Sequence, residues 1–283
     1  MKVEVARNAG FCFGVTKAVQ TAYGHTGESH VHTLGPLIHN EEVIKDLKDK
    51  GIDIVEEDKI EELTDKDTVI IRSHGVAKSV YDRLEKTGAK VLDSTCPFVL
   101  KIHRIVREAS SAGKVVLIIG NEGHAEVEGI KGWCSGEYHV IGSIEAAEAF
   151  EYAESDKEIC VVSQTTFNYK TFKSIVEILG RKLYNIVVSN TICNATEVRQ
   201  NEAKELAACC DAMIVVGGRS SSNTQKLYEI CAGECSDTYF IQSAKDIDSD
   251  TLERLKKVEH IGITAGASTP KNIIQEVFDT CQI

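Results

Sequence analysis

Five short runs, TVIIRSHG, KVVLIIG, EICVVSQ, AMIVVGG and HIGITAGAS, open as almost unbroken series of apolar, mostly β-branched residues. A strand with one face in water alternates polar and apolar residues, whereas a strand apolar on both faces must be covered on both. Between these runs lie stretches of helix length, for example near 98–112 and 169–182. Strands alternating with helices in this way form parallel sheets, because a parallel pair needs a crossover and a helix supplies it. At 283 residues the chain is long for one core and suits two or three domains or repeats. The expected fold is α/β: three similar units with parallel sheets, arranged with pseudo-threefold symmetry around a central cavity. The units are expected at residues 1–90 with Cys12, 91–184 with Cys96 and 185–283 with Cys193, each opening on the strand before its cysteine.

Parallel sheets place ligands at the carboxyl ends of their strands, and the polar motifs collect there. In KVLDSTCPFV, Cys96 stands between a strand and a helix that Pro97 opens. A helix N-terminus favours the thiolate, the form that binds metals or attacks electrophiles. IVVSNTICNATEVRQ repeats the arrangement at Cys193, and VEVARNAGFCFGVTKAV repeats it at Cys12 over a longer turn. The loops recur as well. His39 lies 27 residues after Cys12, His124 lies 28 after Cys96, and Ser221 lies 28 after Cys193. Farther on, His74, Thr165 and Ser268 follow the same three cysteines by 62, 69 and 75 residues. Three copies of one α/β unit account for this spacing.

Composition narrows what the loops can serve. A net charge of -11 argues against nucleic acid as a partner, since phosphate backbones need a basic surface. No apolar run approaches membrane-spanning length and MKVEVARNAG lacks a signal pattern, so a cytoplasmic protein is expected, with no membrane partner. Ten cysteines without secretion signals and without a C-x-x-C pair do not read as a disulfide or zinc-ribbon framework. Cys134, Cys160, Cys209, Cys210, Cys231, Cys235 and Cys281 are expected to be packing residues. His25, His30, His103 and His139 stand outside the repeated loops and are expected to face solvent.

The loop side chains suit a small anion. His39, His74 and His124, the hydroxyls of Ser221, Ser222 and Ser268, and the amide of Asn223 can all hold phosphate oxygens. GGRSSSN and AGAST let backbone N–H groups approach closely at helix starts. No G-x-x-x-x-G-K-S/T and no G-x-G-x-x-G after a strand occurs, so a small diphosphate fits better than a nucleotide. Glu126, in GHAEVEG, is one carboxylate in a cavity-lining loop. Burial there would raise its pKa and let it donate protons near neutrality, with Thr165 and Thr166 of SQTTFN orienting it or relaying its proton. Three thiolates without a fourth leave two choices open: a catalytic zinc, or a [4Fe–4S] cluster with one open iron.

GFCFGV, LIHN, RSHG, DSTCP, GHAEVEG, SQTT, TICNATEVRQ, GGRSSSN and TAGASTP, in that order, resemble the motif series of the hydroxymethylbutenyl diphosphate reductases. The likeness runs from Cys12 to Pro270. Ala125 departs from the frequent proline and Ser94 from the frequent alanine, and neither is a ligand position. The resemblance implies that Cys12, Cys96 and Cys193 hold one [4Fe–4S] cluster. It also implies that His39, His74, His124, Ser221, Ser222, Asn223 and Ser268 bind the diphosphate, with Thr165 near the substrate hydroxyl and Glu126 as proton donor. The implied activity is reductive dehydroxylation of (E)-4-hydroxy-3-methylbut-2-enyl diphosphate to isopentenyl and dimethylallyl diphosphate. Electrons would come from an external donor such as ferredoxin or flavodoxin, since no flavin or nicotinamide fingerprint is present. A zinc-dependent hydrolase or isomerase of a small phosphate ester, and a non-catalytic diphosphate or redox sensor, are the rival classes.

Overall fold

The computed structural model describes residues 1–152, 156–183 and 185–282. The chain begins with β1 (Lys2–Val5), α1 (Phe13–Gly24), β2 (Val31–Leu34), α2 (Glu41–Asp49), β3 (Ile52–Val55), β4 (Thr68–Ile71), α3 (Lys78–Thr87) and β5 (Lys90–Asp93). Next come α4 (Pro97–Ser111), β6 (Val115–Ile119), α5 (Ala125–Lys131), β7 (Tyr138–Ile141), α6 (Ile144–Ala149), β8 (Ile159–Ser163), α7 (Tyr169–Lys182) and β9 (Ile186–Val188). The last stretch has α8 (Asn194–Ala207), β10 (Ala212–Val216), α9 (Ser222–Glu234), β11 (Thr238–Ile241), α10 (Ser249–Leu255), β12 (His260–Ala265) and α11 (Lys271–Cys281).

Two compact units divide the chain. One comprises Met1–Thr16, Ile38–Ile44 and Asn194–Ile283, the other Lys17–Leu37 and Lys45–Cys193. The latter contains two four-stranded sheets, ordered β3-β2-β4-β5 and β7-β6-β8-β9, and the former contains one, ordered β11-β10-β12-β1. Every pairing is parallel. The three sheets share one pattern, in which the first strand in the chain lies inside the second and the third carries a fourth at the edge. In the last sheet that edge place is taken by β1, from the opposite end of the chain. The expected α/β fold of three similar parallel-sheet units is therefore what the chain adopts.

The strand before each cysteine does not open a new sheet. β5, β9 and β1 each close the sheet that precedes them in this cyclic order, pairing with β4, β8 and β12. The sheets thus run one strand out of step with limits at residues 90 and 184, the second of which falls outside the described residues. The cause is parallel pairing. A strand's partner is set by which crossover helix returns it, and local sequence does not carry that information.

Burial follows position in the sheet. All five residues of β6, β8 and β10 are buried, whereas the edge strands β5 and β9 are partly exposed. An inner parallel strand has helices on both faces, so Val, Ile and Leu are tolerated at every position. Among the described residues, no helix is long and apolar enough to cross a membrane.

The end of α8 and the turn after it pack so closely on β12 that a Cβ at Gly262 would collide with Met213 Sδ of β10 and lie 2.7 Å from Cys210 Sγ and 3.0 Å from Leu206 Cγ. Gly262→Ala should therefore destabilise by about 1–3 kcal/mol through overpacking. Gly180→Ala, in α7 where a Cβ meets nothing within 4 Å, should stabilise by roughly 0.5–1 kcal/mol. Denaturant midpoints moving in opposite directions would confirm the contrast. A neutral Gly262→Ala would mean the helix stands off the sheet.

Candidate functional site

The three cysteine turns share one hydrogen bond. In each, the cysteine N–H donates to a carbonyl in the loop after the adjacent strand: Cys12 to Ala267 O at 3.3 Å, Cys96 to Ser73 O at 3.0 Å, and Cys193 to Thr165 O at 3.0 Å. Each bond ties an edge strand's exit to its inner neighbour, and each acceptor lies at or beside a residue singled out by spacing: Ser268, His74 and Thr165. A helix begins on the residue after every one of these cysteines. All three are partly exposed and none is in a disulfide. Cys12 therefore belongs with the Ser268 loop and Cys96 with the His74 loop, one sheet earlier than expected from sequence order.

In the unit Lys17–Leu37 with Lys45–Cys193, further contacts extend this arrangement. The rings of His74 and His124 meet edge-on with centroids 5.7 Å apart. His124 caps α5, its Nδ1 accepting from the Glu126 N–H at 3.1 Å, which leaves the proton of the neutral ring on Nε2. Glu126 is 1% exposed. Its Oε1 accepts from the Thr165 N–H at 2.6 Å and its Oε2 from the Thr165 hydroxyl at 2.7 Å. Burial pushes its carboxyl up to about 7, against the opposing pull of the two Thr165 bonds. Thr165 in turn holds Cys193 through its carbonyl. The acid, its hydroxyl partner and a thiol-bearing turn thus form one hydrogen-bonded series. Thr166 stands outside it, because its hydroxyl accepts from Gln164 Nε2 at 2.8 Å.

In the unit Met1–Thr16, Ile38–Ile44 and Asn194–Ile283, the polar loops after β10 and β12 meet. Ser221 caps α9 and Ser222 and Asn223 open it, all three buried. Asn223 Oδ1 accepts from the Ala267 N–H at 2.9 Å, while its Nδ2 is buried with no hydrogen-bond partner among the described residues. The Ser268 hydroxyl donates to His39 O at 3.1 Å. Gly218 lies against that same His39 carbonyl, where any Cβ would collide. Cys12, Asn223, Ser268 and the His39 backbone are therefore joined through residues 267 and 268.

Several side chains differ from expectation. His103 is 2% exposed, stacks on Trp133 at 5.2 Å, and burial lowers its pKa to about 4. Its helical spacing from Val99 and Val106 was the available signal, since all three share α4's buried face. Cys209 is exposed beyond the end of α8. The remaining cysteines are packing residues: burial pushes the thiols of Cys134, Cys210 and Cys231 up to about 12 and that of Cys281 to about 11. Sequence reading missed Thr191, whose hydroxyl bonds the Ser163 N–H and carbonyl at 2.7 Å and so fixes the approach to Cys193. It also missed Gln164, fully buried, which accepts from the Asn121 N–H. The run SQTT drew attention to its threonines, and a lone threonine before Cys193 carries no pattern.

Fold and side chains together define an α/β protein of three parallel sheets whose strand ends present thiols, imidazoles, hydroxyls and one buried acid. The chain belongs to the LytB protein family, whose model matches residues 3–282. It is 46% identical over 281 residues to the 4-hydroxy-3-methylbut-2-enyl diphosphate reductase of Thermoanaerobacter sp. (strain X514), covering 98% of this chain and 96% of that one. The enzyme of the same name from Clostridioides difficile (strain 630) is 43% identical, with 98% of each chain covered. Among solved structures, an (E)-4-hydroxy-3-methyl-but-2-enyl diphosphate reductase, described as the terminal enzyme of the non-mevalonate pathway, matches with TM-score 0.70 and 37% identity. That match covers 100% of this chain and 99% of the other. The Plasmodium falciparum E-1-hydroxy-2-methyl-but-2-enyl-4-diphosphate reductase matches with TM-score 0.91 and 26% identity, covering 98% and 87%.

The raised carboxyl of Glu126 has a consequence for stability. Between its ordinary value of 4.5 and about 7, the folded chain holds a proton that the unfolded chain has released. The stability it contributes is complete below pH 4.5 and is lost as pH rises through 7, on the order of 3 kcal/mol in all. Glu126→Gln removes this dependence, so the variant should gain on the parent as pH rises from 5 to 8, read as the difference in unfolding midpoints. A difference that stays flat with pH would show that the carboxyl is not desolvated.

Proposed function

We propose that this chain catalyses the reductive dehydroxylation of (E)-4-hydroxy-3-methylbut-2-enyl diphosphate to isopentenyl and dimethylallyl diphosphate, the last step of the methylerythritol phosphate route. The observation that carries the reading is the Glu126–Thr165–Cys193 series, a buried acid bonded to the residue that holds a thiol-bearing turn. The family and the reductases it resembles give the reaction class. In the overall balance a carbon–oxygen bond breaks, two electrons and two protons enter, and one water leaves. An external one-electron carrier such as ferredoxin or flavodoxin supplies the electrons, and the enzyme works in the cytoplasm.

We assign Cys12, Cys96 and Cys193 as ligands of a [4Fe–4S] cluster. The donor set fits: three partly exposed thiols, each one residue ahead of a helix, in contrast to thiols that burial keeps protonated. Such a cluster, when bound, supplies electrons singly and a Lewis-acidic iron with an open position. The chain's own side chains do the rest. In the carboxylate form Oε2 accepts from the Thr165 hydroxyl; when Glu126 carries its proton, on Oε2 because Oε1 is held by an N–H, that bond reverses and Oε2–H donates to the hydroxyl. That hydroxyl accepts it while donating its own hydrogen outward, so a proton reaches the substrate hydroxyl and the leaving group departs as water. For the diphosphate, His124 offers Nε2–H and Asn223 offers its unpartnered Nδ2. Ser221, Ser222 and Ser268, with His39 and His74, complete the set we assign. Thr166 is assigned a place near the substrate as well, steered by Gln164.

Two experiments test these assignments. Glu126→Gln keeps the shape but cannot deliver the proton, so turnover should fall about 10²–10⁴-fold while visible absorbance and substrate-induced spectral change persist. Glu128→Gln, whose carboxylate bonds Lys131 at the surface, should match the parent. Near-parental turnover in Glu126→Gln would remove it as the acid. Separately, Cys193→Ala should lose the iron and the brown colour on anaerobic purification, whereas Cys160→Ala, a core sulfur in β8, should retain both. Iron surviving in Cys193→Ala would exclude that residue as a ligand.

A further inference from the structure

The three cysteine turns differ in length. Two residues separate β5 from Cys96 and four separate β9 from Cys193, but six separate β1 from Cys12. The short turns are braced from within: the Thr95 N–H donates to Asp93 Oδ1, and the Ile192 N–H to Asn190 Oδ1. The long turn before Cys12 has one internal bond, from the Ala9 N–H to Ala6 O at 3.1 Å, and is otherwise braced from outside. Residues 7 and 8 are exposed and Gly10 is buried, and along this segment α8 side chains supply the backbone's partners. Arg199 Nε–H donates to Asn8 O and its Nη2–H to Gly10 O, both at 2.7 Å. One turn on, Glu202 accepts from the Arg7 N–H at 2.8 Å, the Asn8 N–H at 2.9 Å and the Asn8 side-chain amide at 3.0 Å. Arg199 is only 4% exposed. The turn itself leaves no slack, for Gly10 has φ +94 and a Cβ there would sit 3.0 Å from Ile274 Cδ1 and 3.1 Å from Thr269 O.

We propose that Arg199 and Glu202 are positioning residues for Cys12, a two-sided clamp that fixes residues 7–10 so that this thiol is presented as a ligand. The inference rests on the cluster assignment above. Arg199 takes the carbonyls and Glu202 the amides of one short segment, so each backbone polarity meets the opposite charge, and charge-assisted bonds are the stronger kind. The guanidinium fork is what allows one side chain to bridge two carbonyls, and a lysine in its place offers a point charge instead. Cys12 N–H itself makes the longest of the three cysteine bonds, 3.3 Å, so the clamp carries more of the ordering here than at Cys96 or Cys193. Outer partners of metal ligands typically change metal affinity by roughly 10–100-fold.

The test uses Arg199→Lys, Arg199→Gln and Glu202→Gln beside Glu205→Gln, an exposed position on the same helix. Amide hydrogen exchange of residues 7–10 is measured in the iron-free chain, with mass-spectrometric mapping of which cysteine an alkylating agent modifies. Iron release to a chelator is then followed in the loaded protein. The clamp predicts faster exchange confined to residues 7–10, alkylation shifted toward Cys12 over Cys96 and Cys193, and iron lost about 10–100-fold faster, with Arg199→Lys not rescuing. Parental exchange at residues 7–10, or alkylation rising equally at all three cysteines, would overturn it and leave a general fold role. If the parent binds no iron, the cluster assignment fails, whereas exchange and alkylation still decide the clamp.

Discussion

The bond from each cysteine amide to a neighbouring strand-end carbonyl is the interaction on which the candidate chemistry depends. A parallel sheet sends all its strands out at one edge, and a helix must start soon after each exit. Left alone, those exits diverge. One hydrogen bond between the last inner strand's loop and the edge strand's turn draws two exits together and aims the following helix. Net, such a bond contributes about 1 kcal/mol, too little to build the fold but enough to choose between turn conformations. Its repetition at Cys12, Cys96 and Cys193 is better evidence for three copies of one unit than the spacing of their side chains.

Glu126 shows how burial and hydrogen bonding are balanced at one carboxyl. Two short bonds from Thr165 would ordinarily hold an acid low, yet the side chain is 1% exposed and desolvation wins. The outcome is an acid poised near neutrality, not a permanently charged group. The same burial acts oppositely at His103, whose imidazole is kept neutral against Trp133. His103 lies under the site: a Cβ at Gly75, next to His74, would approach its Cε1 to 2.7 Å, and one at Gly129 of α5 would approach its Nε2 to 3.6 Å. It is a wall of the fold, and its ionisation has no part in holding that wall.

How much could be read in advance depended on how local each interaction is. Strand and helix identity, the thiol at each helix start and the acid near the start of α5 are local: they follow from apolar runs, Pro97 and residue types within one turn. Polar loops at strand ends were also legible, because parallel topology puts them there whatever the pairing. What failed to show was which sheet each edge strand completes, since β1 joins β12 across nearly the whole chain. Thr166 turning to Gln164, Cys209 lying outside the packed end of α8, and Arg199 and Glu202 gripping residues 7–10 escaped for the same reason.

The sequence by itself determined a three-sheet α/β chain with three thiols, three imidazoles, a serine set and one acid at strand ends, because backbone periodicity and turn chemistry act over a few residues. Only the tertiary structure decided that Cys12 belongs with Ser268 and Cys96 with His74. It alone buried Glu126 against Thr165, and it alone made Arg199 of α8 a brace for Asn8, 191 residues away in the chain. Desolvation and side-chain-to-backbone bonding depend on which segments meet, and segments meet through crossovers whose partners no short stretch of residues specifies.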